Sequence, residues 1–99
     1  MVEVKTLRQS VKARKDIRDI LRFTRDNWGG EKMLAYAREM DDTILMLCRH
    51  PAAGHTHPEL DPALRMFAVG AHLIVYKVSG ATMLVVRILH QGMSLKKHL

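Results

Sequence analysis

The sequence predicts an α+β fold in which a helical hairpin packs on one face of a small, mainly antiparallel sheet. The predicted order is β-α-α-β-β-β, within a single domain that covers residues 1–99. Three observations carry this prediction: two strand-like runs that meet at Ser79-Gly80, two amphipathic helical runs joined at Gly29-Gly30, and a short alternating run near the N-terminus. Hydrophobic residues make up 47% of the chain, which is enough for the core of one small domain.

The first strand and first helix follow from local pattern. Val2, Val4 and Thr6 alternate with Glu3, Lys5 and Leu7, which predicts a short, half-buried strand. Ser10 suits the N-cap of a helix whose inward-facing positions recur at three- and four-residue steps. These positions are Ala13, Ile17, Ile20, Leu21, Thr24 and Trp28.

The second helix begins near Glu31 and stops before Pro51. Because the link at Gly29-Gly30 is short, the two helices are expected to be antiparallel and to cover the sheet with their apolar sides. The apolar positions of the second helix are Met33, Leu34, Ala37, Met40, Ile44, Leu45, Leu47 and Cys48.

The stretch Ala71–His90 predicts a β-hairpin, preceded by a loop at Pro51–Pro62 and a strand at Leu64–Val69. A two-residue loop at Ser79-Gly80 would place His72 opposite Arg87. One face of this hairpin is almost wholly apolar and is expected to meet the helices: Leu73, Val75, Leu84, Val86 and Ile88. The other face is mixed and is expected to be left for partners: His72, Ile74, Tyr76, Met83, Val85 and Arg87.

Charge and composition limit the kinds of partner that the chain is expected to bind. The net charge is +6, with many basic residues in the first thirty, which favours anionic partners through long-range steering. An acidic protein and a nucleic acid both fit, although a basic helix face is more often simply solvated. The single cysteine excludes an intrachain disulfide and suits a reducing cytoplasm. The charged N-terminus predicts no signal peptide, and no apolar run approaches a membrane span.

Metal and cofactor chemistry has weak support in the sequence. His50, His55 and His57 surround the proline-containing loop without a metal-ligand spacing, so solvated histidines are the better interpretation. Cys48 lies on the apolar side of its helix, where a buried inert thiol is expected. Gly29-Gly30 lacks the spacing and the lysine of a phosphate-binding loop. We therefore expect no metal and no cofactor.

Arg65, Arg87 and His90 are the most informative polar residues of the predicted sheet. Arg87 interrupts an otherwise apolar strand, and a buried arginine requires a partner. A paired or sheet-edge arginine and a binding role both fit this position. Regular alternation would point Arg87 and His90 to opposite faces.

The segment Arg87–Leu99 resembles the C-terminus of the ParE toxins, within the RelE/ParE superfamily of bacterial toxin–antitoxin modules. Those proteins typically end in an Arg-hydrophobic-Leu-His strand, then a Met, then a closing His-Leu. The matching residues here are Arg87, Ile88, Leu89, His90, Met93, His98 and Leu99. Weaker matches upstream are Ala71–Val78, Leu64-Arg65, the Ala13, Asp16-Ile17 and Ile20 spacing, and Pro51 to Gly54.

The resemblance implies a cytoplasmic toxin that a ParD-like antitoxin neutralises and that inhibits DNA gyrase without being an enzyme. It implies that DNA is contacted only indirectly, through the antitoxin, and no membrane is involved. We expect the target to be bound by Arg87, His90, Met93, Lys96, Lys97 and His98. We expect the antitoxin to cover the mixed hairpin face (His72, Ile74, Tyr76, Met83 and Val85) or the neighbouring helical groove.

The alternative implied by the superfamily is ribosome-dependent mRNA cleavage, as in RelE-type toxins. Arg65 and Arg87 would then stabilise phosphate charge and His90 would act as general acid. No tyrosine follows His90 in this chain, and the Met and His-Leu close go with the gyrase-inhibiting branch. Gyrase inhibition is therefore the favoured expectation.

Overall fold

The computed structural model describes residues 4–99 as a helical hairpin that covers one face of a four-stranded sheet. The predicted order β-α-α-β-β-β is confirmed, with a short C-terminal helix added. The elements are β1 Thr6–Gln9, α1 Val11–Trp28, α2 Gly30–Arg49, a 3-10 turn at Pro51–Ala53, β2 Arg65–Val69, β3 His72–Ser79, β4 Thr82–His90 and α3 Leu95–His98. Val2, which was assigned to the first strand, lies outside the described residues.

The sheet has the strand order β1-β4-β3-β2. β1 runs parallel to β4, whereas both other pairings are antiparallel, which confirms a mainly antiparallel sheet. Within residues 4–99, neither long helix is apolar enough to cross a membrane.

The helix ends follow the predicted capping signals. The Ala13 N–H donates to Ser10 Oγ at 2.9 Å, as expected of an N-cap. Ser10 Oγ in turn donates to the Val86 carbonyl at 2.6 Å, so the cap also fastens the start of α1 to β4. Gly29, between the two helices, has φ +93°, a conformation that favours glycine.

The hairpin turn lies one residue later than predicted. Ser79 pairs with Thr82, so the two-residue loop is Gly80-Ala81 rather than Ser79-Gly80. Gly80 has φ +57° and occupies the first central position of the turn, where a type II′ hairpin needs a positive φ. The position of the glycine within the turn therefore explains the shift.

A β-bulge adds a second shift to the register. Tyr76 pairs with Val85, but the next pair is Val75 with Arg87, so Val86 is the extra residue on β4. The turn and the bulge together place His72 opposite His90. The predicted pairing of His72 with Arg87 is wrong.

The assignment of the two hairpin faces is also wrong, apart from Ile88 and Arg87. The helices cover the mixed face, and the core beneath them contains Ile74, Tyr76, Met83, Val85 and Ile88, packed with Ala13, Met40, Ile44, Leu47, Cys48 and Val69. Ile88 joins this side because the bulge reverses the alternation along β4. The remaining residues expected to meet the helices, Leu73, Val75, Leu84 and Val86, belong to the opposite face.

That opposite face has its own partial cover. Met66, Val75 and Leu89 are buried beneath apolar side chains from the long loop and the C-terminal tail. The covering residues are Leu60, Leu64 and Leu95. Because the tail supplies one of them, the position of α3 depends on this second, smaller core.

Candidate functional site

Arg87 is the most heavily bonded side chain of the C-terminal strand. Its Nε and Nη2 donate to the two carboxylate oxygens of Asp16, at 2.8 and 3.0 Å, and its Nη1 donates to the His98 carbonyl at 3.1 Å. The two side chains are only 17% and 15% exposed. The hydrogen bonds to Asp16 raise the pKa of Arg87 above its ordinary value. Arg87 is therefore a paired arginine, which is one of the two interpretations that the sequence allowed.

Asp16 also bonds to the backbone of β4. The Ile88 N–H donates to Asp16 Oδ2 at 3.0 Å, so one carboxylate receives both a guanidinium and a strand amide. Arg87 and Asp16 together tie three elements to one another: α1, β4 and the tail that carries His98.

The residues of the nuclease alternative are not brought together. Arg65 pairs with Tyr76 and Arg87 pairs with Val75, and since these partners are adjacent on β3 the arginines lie on opposite faces. Arg65 Nη1 donates to the Gly54 carbonyl at 2.9 Å, within the loop that follows α2. Each arginine therefore holds a structural contact of its own.

The predicted target-binding residues, apart from Arg87, lie near the surface at the end of β4 and along the tail. His90 is exposed, and its Nδ1 accepts a hydrogen bond from the Gly92 N–H at 3.1 Å. Met93, Lys96 and Lys97 are also exposed, whereas His98 is half-buried. Lys96 forms an exposed ion pair with Glu59 at 3.3 Å.

An apolar groove of about 770 Å³ lies between the end of the helical hairpin and the neighbouring end of the sheet. Phe23 and Trp28 of this groove are 59% and 63% exposed. Their rings pack edge to face, with 5.7 Å between the ring centroids. The groove is lined by Asp19, Ile20, Phe23, Thr24 and Trp28 of α1, by Lys32, Ala35, Tyr36 and Glu39 of α2, and by Ala71, His72 and His90.

The prediction that Trp28, Leu34 and Leu45 lie among the buried helical positions is wrong, because all three are exposed. Along α1, Ile20 is the last apolar residue that packs on the core. Trp28 is the last residue of that helix and lines the groove instead.

His72 lines the groove beside Tyr36. The Tyr36 hydroxyl is 2.6 Å from His72 Nδ1 and 2.9 Å from the Val69 carbonyl to which it donates. The rings of His72 and His90 meet edge to face at 5.5 Å. Burial, and to a smaller extent the nearby His90, lowers the pKa of His72, which favours the neutral imidazole at neutral pH.

Only His72 of the residues expected to contact the antitoxin remains accessible. Ile74, Tyr76, Met83 and Val85 are fully buried because the helices occupy the face that was expected to be free. The Tyr76 hydroxyl, for example, donates to the Pro51 carbonyl at 2.6 Å and accepts from the Gly54 N–H at 2.9 Å. No partner can reach these four side chains in this structure.

The residues considered for metal binding do not form a site. Across residues 4–99, no group of three or more histidine, cysteine or acidic side chains is placed to hold a metal ion. Cys48 is buried, as expected, and burial raises the pKa of its thiol.

The fold is that of the RelE/ParE class of toxins. A family model described as "ParE toxin of type II toxin-antitoxin system, parDE" matches residues 7–95. Toxin ParE1 of Caulobacter vibrioides is 36% identical over 96 residues, which are 97% of this chain and 99% of that protein. Toxin ParE of Escherichia coli is 33% identical over 91 residues, which are 91% of this chain and 88% of that protein. This chain belongs to the ParE toxin family of type II toxin–antitoxin systems.

Solved structures show the same fold at lower identity. A chain of the chromosomal ParDE toxin–antitoxin system from P. aeruginosa superposes with a TM-score of 0.76 at 20% identity, covering 89% of this chain and 97% of its own. A chain of the toxin–antitoxin complex RelBE2 from Mycobacterium tuberculosis superposes with a TM-score of 0.63 at 19% identity, covering 89% and 99%.

The partner of Arg87 was not predicted from the sequence. Asp16 is part of the family resemblance, and the sequence also carries a signal for this ion pair. The Asp16 carboxylate lies beside the inward-facing positions Ala13 and Ile17, close to where α1 meets the sheet. An acid at the border of a buried helix face and an arginine within an apolar strand form a complementary pair.

We expect Asp16→Asn to destabilise the fold by about 3 kcal/mol, since it leaves a largely buried guanidinium without its counter-charge. The amide also turns an N–H₂ group toward donors. Urea unfolding followed by circular dichroism measures the change.

The matched control is Asp19→Asn on the same helix. Asp19 pairs with Lys15 at 2.6 Å, but both side chains are at least half exposed, so its loss should leave the unfolding midpoint unchanged. Equal midpoints for the Asp16 variant and the unmodified protein would show that the pair does not stabilise the fold.

Proposed function

We propose that this chain is the toxin of a type II module, held inactive by a ParD-like antitoxin, and that it inhibits DNA gyrase in the cytoplasm without catalysing a reaction. Membership of the ParE family supports the toxin role. The observation that carries the rest is the exposed, basic C-terminal segment, which Arg87 and Leu95 fix to the body of the fold. In this proposal the antitoxin supplies any contact with DNA.

The target-binding surface is assigned to His90, Met93, Lys96, Lys97 and His98. Because the tail is anchored at both the His98 carbonyl and the Leu95 side chain, a partner would bind a segment that is already ordered. Pre-ordering lowers the entropic cost of binding. Arg87 belongs to this proposal as a positioning residue, since its guanidinium is occupied by Asp16 and His98.

The contacts of the arginines favour this function over mRNA cleavage. A nuclease of the RelE type would need Arg65, Arg87 and His90 around one phosphate. Here the arginines lie on opposite faces, and the charge of Arg87 is balanced by Asp16.

The antitoxin is assigned to the apolar groove, which replaces the buried hairpin face as the contact surface. Exposed Phe23 and Trp28 offer apolar area of the kind that anchors a partner segment, and His72 lines the same groove. The net charge of +6 would attract an acidic antitoxin segment that orders on binding.

For the target, we expect the purified protein to inhibit supercoiling by gyrase. We expect the triple variant Lys96→Ala, Lys97→Ala and His98→Ala to lose about tenfold or more in potency, which corresponds to about 1.4 kcal/mol. A translation-dependent mRNA cleavage assay run beside it should show no cleavage.

The control for charge is Arg18→Ala with Arg22→Ala on α1, two exposed cations that are not among the predicted target-binding residues, and this variant should inhibit gyrase normally. An absence of gyrase inhibition together with mRNA cleavage that His90→Ala abolishes would establish the nuclease alternative. An absence of growth arrest on expression without antitoxin would identify an inactive relative.

For the antitoxin, we expect Phe23→Asp to weaken binding about tenfold or more, because it places a charge in an apolar contact. Titration calorimetry with the ParD-like antitoxin measures this. Val11→Asp is the matched control, since Val11 is an exposed apolar residue of the same helix that does not line the groove. Equal affinities for the two variants would exclude the groove.

A further inference from the structure

The outward side of α2 carries a regular pattern that neither the core nor the groove uses. Leu34 and Leu45 are 63% and 53% exposed, although leucine is usually buried. They belong to one exposed series at three- and four-residue steps, which we call the outer stripe: Glu31, Leu34, Arg38, Asp41, Leu45 and Arg49. At ~3.6 residues per turn this spacing keeps the series on one side of the helix.

The four central residues of the outer stripe are symmetric about one point along α2. Leu34 and Leu45 are equidistant from the point midway between Glu39 and Met40, and so are Arg38 and Asp41. When a helix pairs antiparallel with a copy of itself about a two-fold axis at that point, each residue faces its symmetric counterpart. Each leucine then meets a leucine, and each arginine meets an aspartate.

We propose that the outer stripe of α2 is a self-association surface on which two copies of this chain pair antiparallel about a two-fold axis. Leu34 packs on Leu45 of the second copy, and Arg38 pairs with Asp41 of the second copy. Both contacts occur twice by symmetry.

Charge complementarity selects a second copy as the occupant. Two chains of net charge +6 repel each other over most of their surfaces. Along the outer stripe, by contrast, Arg38 meets Asp41, and the outlying Glu31 and Arg49 each lie within one residue of the position symmetric to the other. Among residues 4–99, Arg38 and Asp41 make no side-chain ion pair or hydrogen bond within their own chain, so both are available.

The surface is independent of the proposed function. The groove is lined by other residues of α2, namely Lys32, Ala35, Tyr36 and Glu39, so the two surfaces share no residue. A contact between two helices is smaller than the ~1,200–2,000 Å² of a standard stable interface, so we expect a weak, concentration-dependent dimer.

Sedimentation equilibrium of the purified chain over a wide concentration range tests the proposal. The unmodified chain should associate to a dimer. Arg38→Asp and Asp41→Arg should each weaken association about tenfold or more, since each places two like-charged pairs at the interface. The double variant Arg38→Asp with Asp41→Arg should restore the original affinity to within about threefold, because it restores opposite charges.

Arg22→Asp on α1 is the control, because it makes the same charge change outside the outer stripe and should leave association intact. Circular dichroism verifies that each variant is folded. A chain that is monomeric at every concentration overturns the proposal, as does a dimer that ignores both reversals. A double variant that fails to regain affinity, or a control that weakens association equally, also overturns it.

Discussion

The ion pair between Arg87 and Asp16 joins parts of the chain that are 71 residues apart, and the C-terminal half of β4 depends on it. β1 pairs with β4 only as far as Val85, so the rest of that strand edge lacks a neighbouring strand. The start of α1 takes that place: Ser10 bonds to the Val86 carbonyl and Asp16 to the Ile88 amide. An open strand edge would otherwise expose unpaired backbone groups.

The same pair connects the fold to the two surfaces assigned to partners. Arg87 holds the His98 carbonyl and so positions the tail, while α1 continues past Asp16 to the groove. His90 lines the groove and also lies at the start of the tail. In the proposed function, an antitoxin segment in the groove would therefore reach His90 beside the target-binding surface, which offers a physical route to neutralisation.

Local signals in the sequence predicted the helices and strands, but not the register in which β3 pairs with β4. Ser10 caps α1 through a bond to Ala13, and Gly29 separates the helices through its own positive φ. Because both features are local, the sequence pattern was sufficient to predict these helix ends. The faces of β3 and β4 depended on the turn at Gly80 and on the extra residue Val86. A register shift of one residue moves every following side chain to the other face of the sheet. No residue type in an apolar run such as that of β4 indicates where a bulge will occur.

The residues of the proposed functional surfaces were also only partly predictable from the sequence. His90, Met93, Lys96 and Lys97 are all exposed, and the sequence predicted them together as one target-binding segment. A helical groove beside the hairpin was expected, but its lining by Phe23 and Trp28 could not be predicted. Periodicity shows that a residue lies on the apolar side of a helix but not where the sheet beneath it ends.

Arg87 connects α1, β4 and the tail through its hydrogen bonds to Asp16 and His98, and we infer that these bonds hold the three elements together. Native-state hydrogen exchange of an Arg87→Met variant tests it most directly, because exchange reports the opening of each element separately. The account predicts faster exchange at the Ile88 amide, in the first half of α1 and in α3, with β2 and β3 unchanged. Unchanged exchange at Ile88 and in α3, or an equal increase in every element, would contradict it.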